Sequence, residues 1–179
     1  RERMEYTRVG KSDDMRLSSP IPRRSLKEFF LPPTEPLFRW KESKDGIALK
    51  EVPTSFPPRV VVGCYPCDAA AVSAVDKVMD WDYHDELWFG RRKATTIISM
   101  ACPGGDSSCF CTTTGLAPDA TKGSDILLVP QSGGYRVEMV TAKGEEFATA
   151  NQARFEAEKP DESRSYRETA RRKVEIGRA

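Results

Sequence analysis

The chain has 179 residues, 39% of them hydrophobic, and its 28 Lys and Arg nearly cancel its 27 Asp and Glu to leave a formal net charge of +1. That length buries one ordinary core, and the charge balance offers no field of one sign to draw in nucleic acid or an acidic membrane. No stretch is long and apolar enough to span a bilayer, and the basic amino terminus lacks the apolar core of a secretory signal, so the expected place is the cytoplasm without direct membrane insertion.

Residues 1–22, charged and polar with prolines at Pro20 and Pro22, have little to pack and are read as an extended arm. Residues 23–158 are read as a single α/β domain and 159–179 as a charged helical tail. Ser25, with Glu28 three residues on, marks a short capped helix over 25–31, because that pair can satisfy the first free amides of a helix reciprocally. Pro32 and Pro33 stop it. Residues 37–41 and 47–52 flank Glu-Ser-Lys-Asp-Gly, with Gly46 free to take a positive φ, and read as a hairpin.

The pattern changes at Arg59. Residues 59–67 (RVVVGCYPC) and 94–102 (ATTIISMAC) are rich in Val, Ile and Thr and are expected as buried strands that each deliver a thiolate at the carboxyl end. Between them, residues 68–79 repeat Ala and Val at helical spacing, with Val72, Val75 and Met79 on one face. Strand, helix and strand, with the crossover continuing through 81–93, describe a right-handed parallel βαβ unit. In it Trp81, Tyr83, Trp88 and Phe89 are expected to pack the crossover onto the sheet, with a subunit contact as the alternative for some of them. Residues 125–130 and 135–141 around Gln-Ser-Gly-Gly form a second hairpin, and Gly144 precedes a helical segment over 145–158. The fold class is therefore α/β: a mixed sheet with a parallel βαβ unit carrying the cysteines, β-hairpins, and a helical tail. The tail carries Arg and Glu all around a narrow apolar face, so it is expected to dock on a partner or fray.

Five cysteines, an odd number clustered about one turn, fit metal ligation in a reducing compartment better than a disulfide framework. Cys67 and Cys102 close the two strand runs, and the loop 103–111 (PGGDSSCFC) adds Cys109 and Cys111. Four soft thiolates at the carboxyl ends of parallel strands point to an iron-sulfur cluster. Gly104 and Gly105 let the backbone turn around it, and Ser107, Ser108, Thr112, Thr113 and Thr114 offer donors to bridging sulfides. The common ferredoxin spacing is absent, and four thiolates also satisfy tetrahedral zinc, which is the alternative. Cys64 reads as a buried small hydrophobe, Asp68 as the N-cap of the following helix, and His84 as a surface or capping residue.

At these residues the chain resembles the amino-terminal portion of the beta subunits of cytoplasmic sulfhydrogenases and of the A subunit of anaerobic sulfite reductase. The resemblance runs through 24–40 (RSLKEFFLPPTEPLFRW), 63–78 (GCYPCDAAAVSAVDKV), Arg91 and Arg92 before a Thr-rich strand, 101–111 (ACPGGDSSCFC) and 123–128 (GSDILL). The family pattern Gly, any residue, Arg, any residue, Cys-Asp falls on Gly63, Tyr65, Cys67 and Asp68. Tyr65 replaces the usual arginine, which implies a lower potential if that arginine faces the cluster. The resemblance implies one 4Fe-4S cluster held by Cys67, Cys102, Cys109 and Cys111, with Cys64 outside the ligand set. Cys64, Tyr65, Asp68, Arg91 and Arg92 are the expected surroundings. Family proteins continue into a two-cluster ferredoxin module, so the next relay is expected on another polypeptide.

Three functions compete. A flavin or nicotinamide reductase needs a G-x-G-x-x-G turn, which 63–68 lacks. A zinc-stabilised assembly subunit shares the cysteines but is redox-silent. The leading reading is a non-catalytic electron-transfer subunit in a hydrogenase-, sulfite reductase- or heterodisulfide reductase-like complex, working beside a ferredoxin-like or flavin-bearing subunit.

Overall fold

The computed structural model describes residues 25–52, 54–105, 107–157 and 162–176. The expected arm over 1–22 lies outside the described residues, as do Pro160 and both ends of the tail.

The two expected hairpins form. Strand β1 (Phe38–Ser43) pairs antiparallel with β2 (Gly46–Glu51), and Gly46 takes φ 123° at the turn. A separate four-stranded sheet follows the order β3 (Arg59–Cys64), β4 (Thr95–Met100), β5 (Ile126–Gln131), β6 (Gly134–Met139). Strands β3, β4 and β5 run parallel, and β6 returns antiparallel beside β5. The sheet is mixed, as the sequence implies. Helices α1 (Pro66–Val78) and α2 (Glu86–Ala94) make the crossover between β3 and β4.

The first strand departs from expectation. It ends at Cys64, not Cys67, because the ladder shifts register between Val62 and Cys64 at Gly63, whose φ is 92°. A bulge there bends the strand away, and Pro66, favourable at the first helical position, starts α1 two residues earlier than the periodicity suggests. Nor is β3 buried. As the edge strand it leaves Val60 and Val62 exposed and turns Val61 and Cys64 inward, whereas β4, paired on both sides, is buried throughout.

The core gathers Leu26, Phe30, Cys64, Ala69, Val72, Trp88 and Ile97, with Val75 and Met79 packed alongside as the helical spacing predicts. Trp88 donates its indole N–H to Asp76 at 2.7 Å. Trp81 and Tyr83 do not cover the sheet: both are exposed, in the segment between α1 and α2. The short capped turn is a single 3-10 turn, Leu26–Phe29, and Ser25 caps it as expected. Buried Asp125 ties the far side: its carboxylate accepts from the Ile97 amide at 2.9 Å and the Thr141 hydroxyl at 2.7 Å. Helix α3 (Ala142–Ala150) starts from the Thr141 cap, so Gly144 lies inside it, where any side chain would strike the Asp125 carbonyl.

The tail segment expected to need a partner finds a surface first on its own domain. Helix α4 (Ser163–Ile176) buries Ala170 and Val174, and the Tyr166 hydroxyl donates to the Ala101 carbonyl at 3.0 Å. Asp119, nearly inaccessible, accepts from Arg167 at 3.0 Å and Arg171 at 2.7 Å, and Arg167 also pairs with Glu138. Burial pushes the Asp119 carboxyl up, but the hydrogen bonds from Arg171 and Arg167 outweigh it and hold the group below the usual carboxylate range. A depressed folded pKa contributes stability above the unfolded value near 3.9 and loses it as pH falls through the folded one. Asp119→Asn should therefore cost about 2 kcal/mol at pH 7, read from urea unfolding, and the difference from the parent should shrink below about pH 4.

Candidate metal centre

Parallel strands end on the same side of a sheet, and the cysteine-bearing segments leave from that side. Cys67 lies in the first turn of α1, three residues past the end of β3, and Cys102 two residues past β4. The loop then brings Cys109 alongside and opens a 3-10 turn, Cys111–Thr114. Backbone bonds hold this path: the Cys102 amide donates to the Pro118 carbonyl at 2.8 Å, and the Cys111 carbonyl accepts from the Leu116 amide at 3.0 Å and the Thr114 hydroxyl at 2.7 Å. Cys67 is exposed, and Cys102, Cys109 and Cys111 are half-buried.

The four thiols are near enough to feel one another's charge. Burial raises the Cys67 thiol, and Cys111, Asp68 and Cys109 add to the rise, while the Asp68 backbone amide lowers it. Burial likewise pushes Cys102 up to about 11, against the Gly104 amide, with Cys67, Cys109 and Cys111 adding smaller rises. Across the site Tyr166 rises to about 12, through burial and then Cys102, Tyr65 and Tyr135. These groups oppose each other's ionisation. Bound metal is what makes thiolates stable in such a place.

Among the described residues no three Cys, His, Asp or Glu side chains converge as they would about a single ion. Three observations nevertheless fit the donors to a thiolate-bound group. An added Cβ on Gly105 would lie 2.8 Å from the Cys109 sulfur, so only glycine leaves that thiol its place. Gly104 takes φ 117°, and its missing side chain is replaced by the stem of Lys173. The Thr112 hydroxyl, beside Cys111, is buried and has no hydrogen-bond partner among the described residues.

Of the expected surroundings, Tyr65 and Asp68 are at the site. Tyr65 is buried as the N-cap of α1, and Asp68 sits in its first turn instead of capping it. The Asp68 carboxylate accepts from the Ser25 hydroxyl at 2.6 Å and the Leu26 amide at 2.5 Å, fastening the amino-terminal turn to α1. Cys64 belongs to the core, and burial, then Asp68, pushes its thiol up to about 12. Arg91 and Arg92 do not line the centre. They precede β4, at the end opposite Cys102, and are engaged there: Arg91 with the Phe30 carbonyl and Glu35, Arg92 with Asp76 at 3.0 Å. The sequence reading also overlooked Tyr166, Lys173 and Val174, which close the site from α4. Their signal is Tyr166, Ala170 and Val174 at spacing of four, a stripe one residue wide in a charged segment.

Against known proteins, the chain is 30% identical over 142 residues to sulfhydrogenase 2 subunit beta of Pyrococcus furiosus, a match covering 79% of this chain and 40% of that protein. The chain is similar to that subunit over this stretch, in agreement with the resemblance to sulfhydrogenase beta subunits read from the sequence. No protein-family model matches, and no solved structure does. Among the described residues no helix is long and apolar enough to cross a membrane.

Two outcomes follow from this geometry. Gly105→Ala should cut metal uptake severalfold while far-ultraviolet circular dichroism stays near that of the parent; full uptake would remove Gly105 from the cradle. Because the raised Cys67 and Cys102 thiols are protonated at neutral pH, metal loading should release protons and tighten between pH 7 and 9. Calorimetry in buffers of different ionisation enthalpy reads the released protons directly.

Proposed function

We propose that this relative of a sulfhydrogenase beta subunit holds one 4Fe-4S cluster through Cys67, Cys102, Cys109 and Cys111, and that it serves as an electron-transfer subunit of a hydrogenase-like complex. The observation that supports the reading is that Cys67 and Cys102 follow the carboxyl ends of two paired parallel strands and each lies near enough to Cys109 and Cys111 to feel their charge. Bound there, a 4Fe-4S cluster supplies one-electron redox chemistry.

The chain's own residues would set the conditions for it. The four thiols ligate as thiolates, and the positive end of the α1 dipole favours that form at Cys67, two positions into the helix. The Asp68 and Gly104 amides favour the ionised forms of Cys67 and Cys102, and donors near ligand sulfur favour the more negative, reduced state. The Thr112 hydroxyl is a further donor in the same neighbourhood. Tyr65 contributes no fixed charge where the resembling family usually has arginine. Tyr166, Val174 and the Lys173 stem shield the buried side, and Cys67 leaves one thiolate near the surface for transfer to a partner. That partner is a ferredoxin-like or flavin-bearing subunit of the same complex.

The deciding measurement is anaerobic iron and zinc content of the full chain, with its visible spectrum and the paramagnetic resonance of the reduced form. About four irons and a broad band bleached by dithionite are expected; one zinc and no visible band would make the chain a structural subunit. Cys67→Ser, Cys102→Ser, Cys109→Ser and Cys111→Ser should each lose most of the iron, while Cys64→Ser should keep it, since Cys64 lies in the core. Iron lost from the Cys64 variant would overturn the ligand set.

A further inference from the structure

The first hairpin is the least explained part of the fold. Both β1 and β2 are exposed at every residue, and among the described helices and strands their substantial contacts are only with each other. An isolated two-stranded hairpin is marginal in water. Its register sorts the side chains sharply: Phe38 opposes Glu51, Trp40 opposes Leu49 and Glu42 opposes Ile47 on one face, while Arg39, Lys41, Ala48 and Lys50 take the other. The first face leaves Phe38 59%, Trp40 67%, Ile47 69% and Leu49 72% exposed. Contiguous large apolar side chains on a projecting element mark an interaction site.

We propose that this face is a docking arm for another protein subunit of the complex, one presenting an apolar groove flanked by two basic residues about 13 Å apart. That spacing is the four-residue rise from the Phe38–Glu51 rung at the base to Glu42 near the tip. Charge chooses the occupant. Glu42 and Glu51 sit on the apolar face and, among the described residues, neither forms an ion pair. A second copy laid face to face would oppose glutamate with glutamate and bring no cation. A membrane would have to take Glu42 and Glu51 in with the apolar residues, while Arg39, Lys41 and Lys50 faced away from its phosphates. A protein groove with basic rims meets both demands at once. The inference rests on reading the chain as a member of a multisubunit assembly, and not on the metal.

The test isolates the full chain anaerobically from its source with its bound subunits, beside the chain alone. Hydroxyl-radical footprinting should find Trp40 and Leu49 oxidised at least tenfold more slowly in the assembly, and zero-length carboxyl-to-amine coupling should join Glu42 or Glu51 to lysines of one partner subunit. Trp40→Ser combined with Leu49→Ser should lose that subunit at unchanged metal content, while Arg39→Ser with Lys50→Ser should keep it. Equal oxidation rates, isolation as a lone monomer, a homodimer abolished by the first pair of substitutions, or co-sedimentation with vesicles of anionic phospholipid would each overturn the proposal. A protected hairpin on a chain that carries zinc would leave the docking arm standing and remove the electron-transfer reading; iron with an unprotected hairpin would do the reverse.

Discussion

A parallel ladder cannot be closed by a tight turn, so pairing β3 with β4 demands a long crossover and leaves both carboxyl ends on one side of the sheet. In this chain the register sets Val62 beside Ile98 and Cys64 beside Ser99. What leaves that side is therefore fixed: α1 with Cys67 in its first turn from one strand, and the glycine-rich loop from the other. Cys102 and Cys67 are 35 residues apart in sequence, yet the ladder makes them neighbours before any metal is considered. The positive end of α1 then faces the same place, so the sheet that collects the thiols also supplies a dipole suited to their ionised form.

Two carboxylates stabilise the arrangement from opposite sides. Asp125 takes the Ile97 amide and the Thr141 hydroxyl, joining β4 to the start of α3. Asp119 follows Pro118, whose carbonyl holds the Cys102 amide, and grips Arg167 and Arg171 of α4. Cys102 and α4 thus share one short segment as anchor. A helix that is mostly charged stays in place because its arginines have a buried partner, and a narrow stripe of Tyr166, Ala170 and Val174 suffices for the rest.

The sequence carried the sheet well where pattern and physics coincide. Runs rich in Val, Ile and Thr, Gly46 at a hairpin turn and the helical spacing of Val72, Val75 and Met79 each report a local requirement that the fold keeps. It misled where tertiary context rules. Nothing local says that 59–64 is an edge strand, because a run of valines suits a half-covered strand as well as a central one. Gly63 and Pro66 signalled the early end of that strand, and with it the helical position of Cys67, but the unbroken apolar run masked them. Arg91 and Arg92 look like cluster neighbours only until the direction of β4 puts them at its other end. The part played by α4 was hidden because its stability comes from Asp119, 48 residues before Arg167.

The loop between Cys102 and Cys111 has little regular structure to hold it, and its shape rests on three things that meet at one point. Gly105 yields space to the Cys109 sulfur, the Lys173 stem and Val174 cover Gly104 and Gly105 from outside, and burial together with the neighbouring thiols raises the Cys67 and Cys102 pKa values. The first two are satisfied by the protein alone. The third opposes ionisation of Cys67 and Cys102, and thiolate-bound metal would favour it, so metal binding and ordering of this loop draw on the same free energy. It follows that α4 and the metal would be thermodynamically linked: whatever loosens Arg167 and Arg171 from Asp119 uncovers Gly104 and Gly105, and whatever fills the centre favours the closed helix.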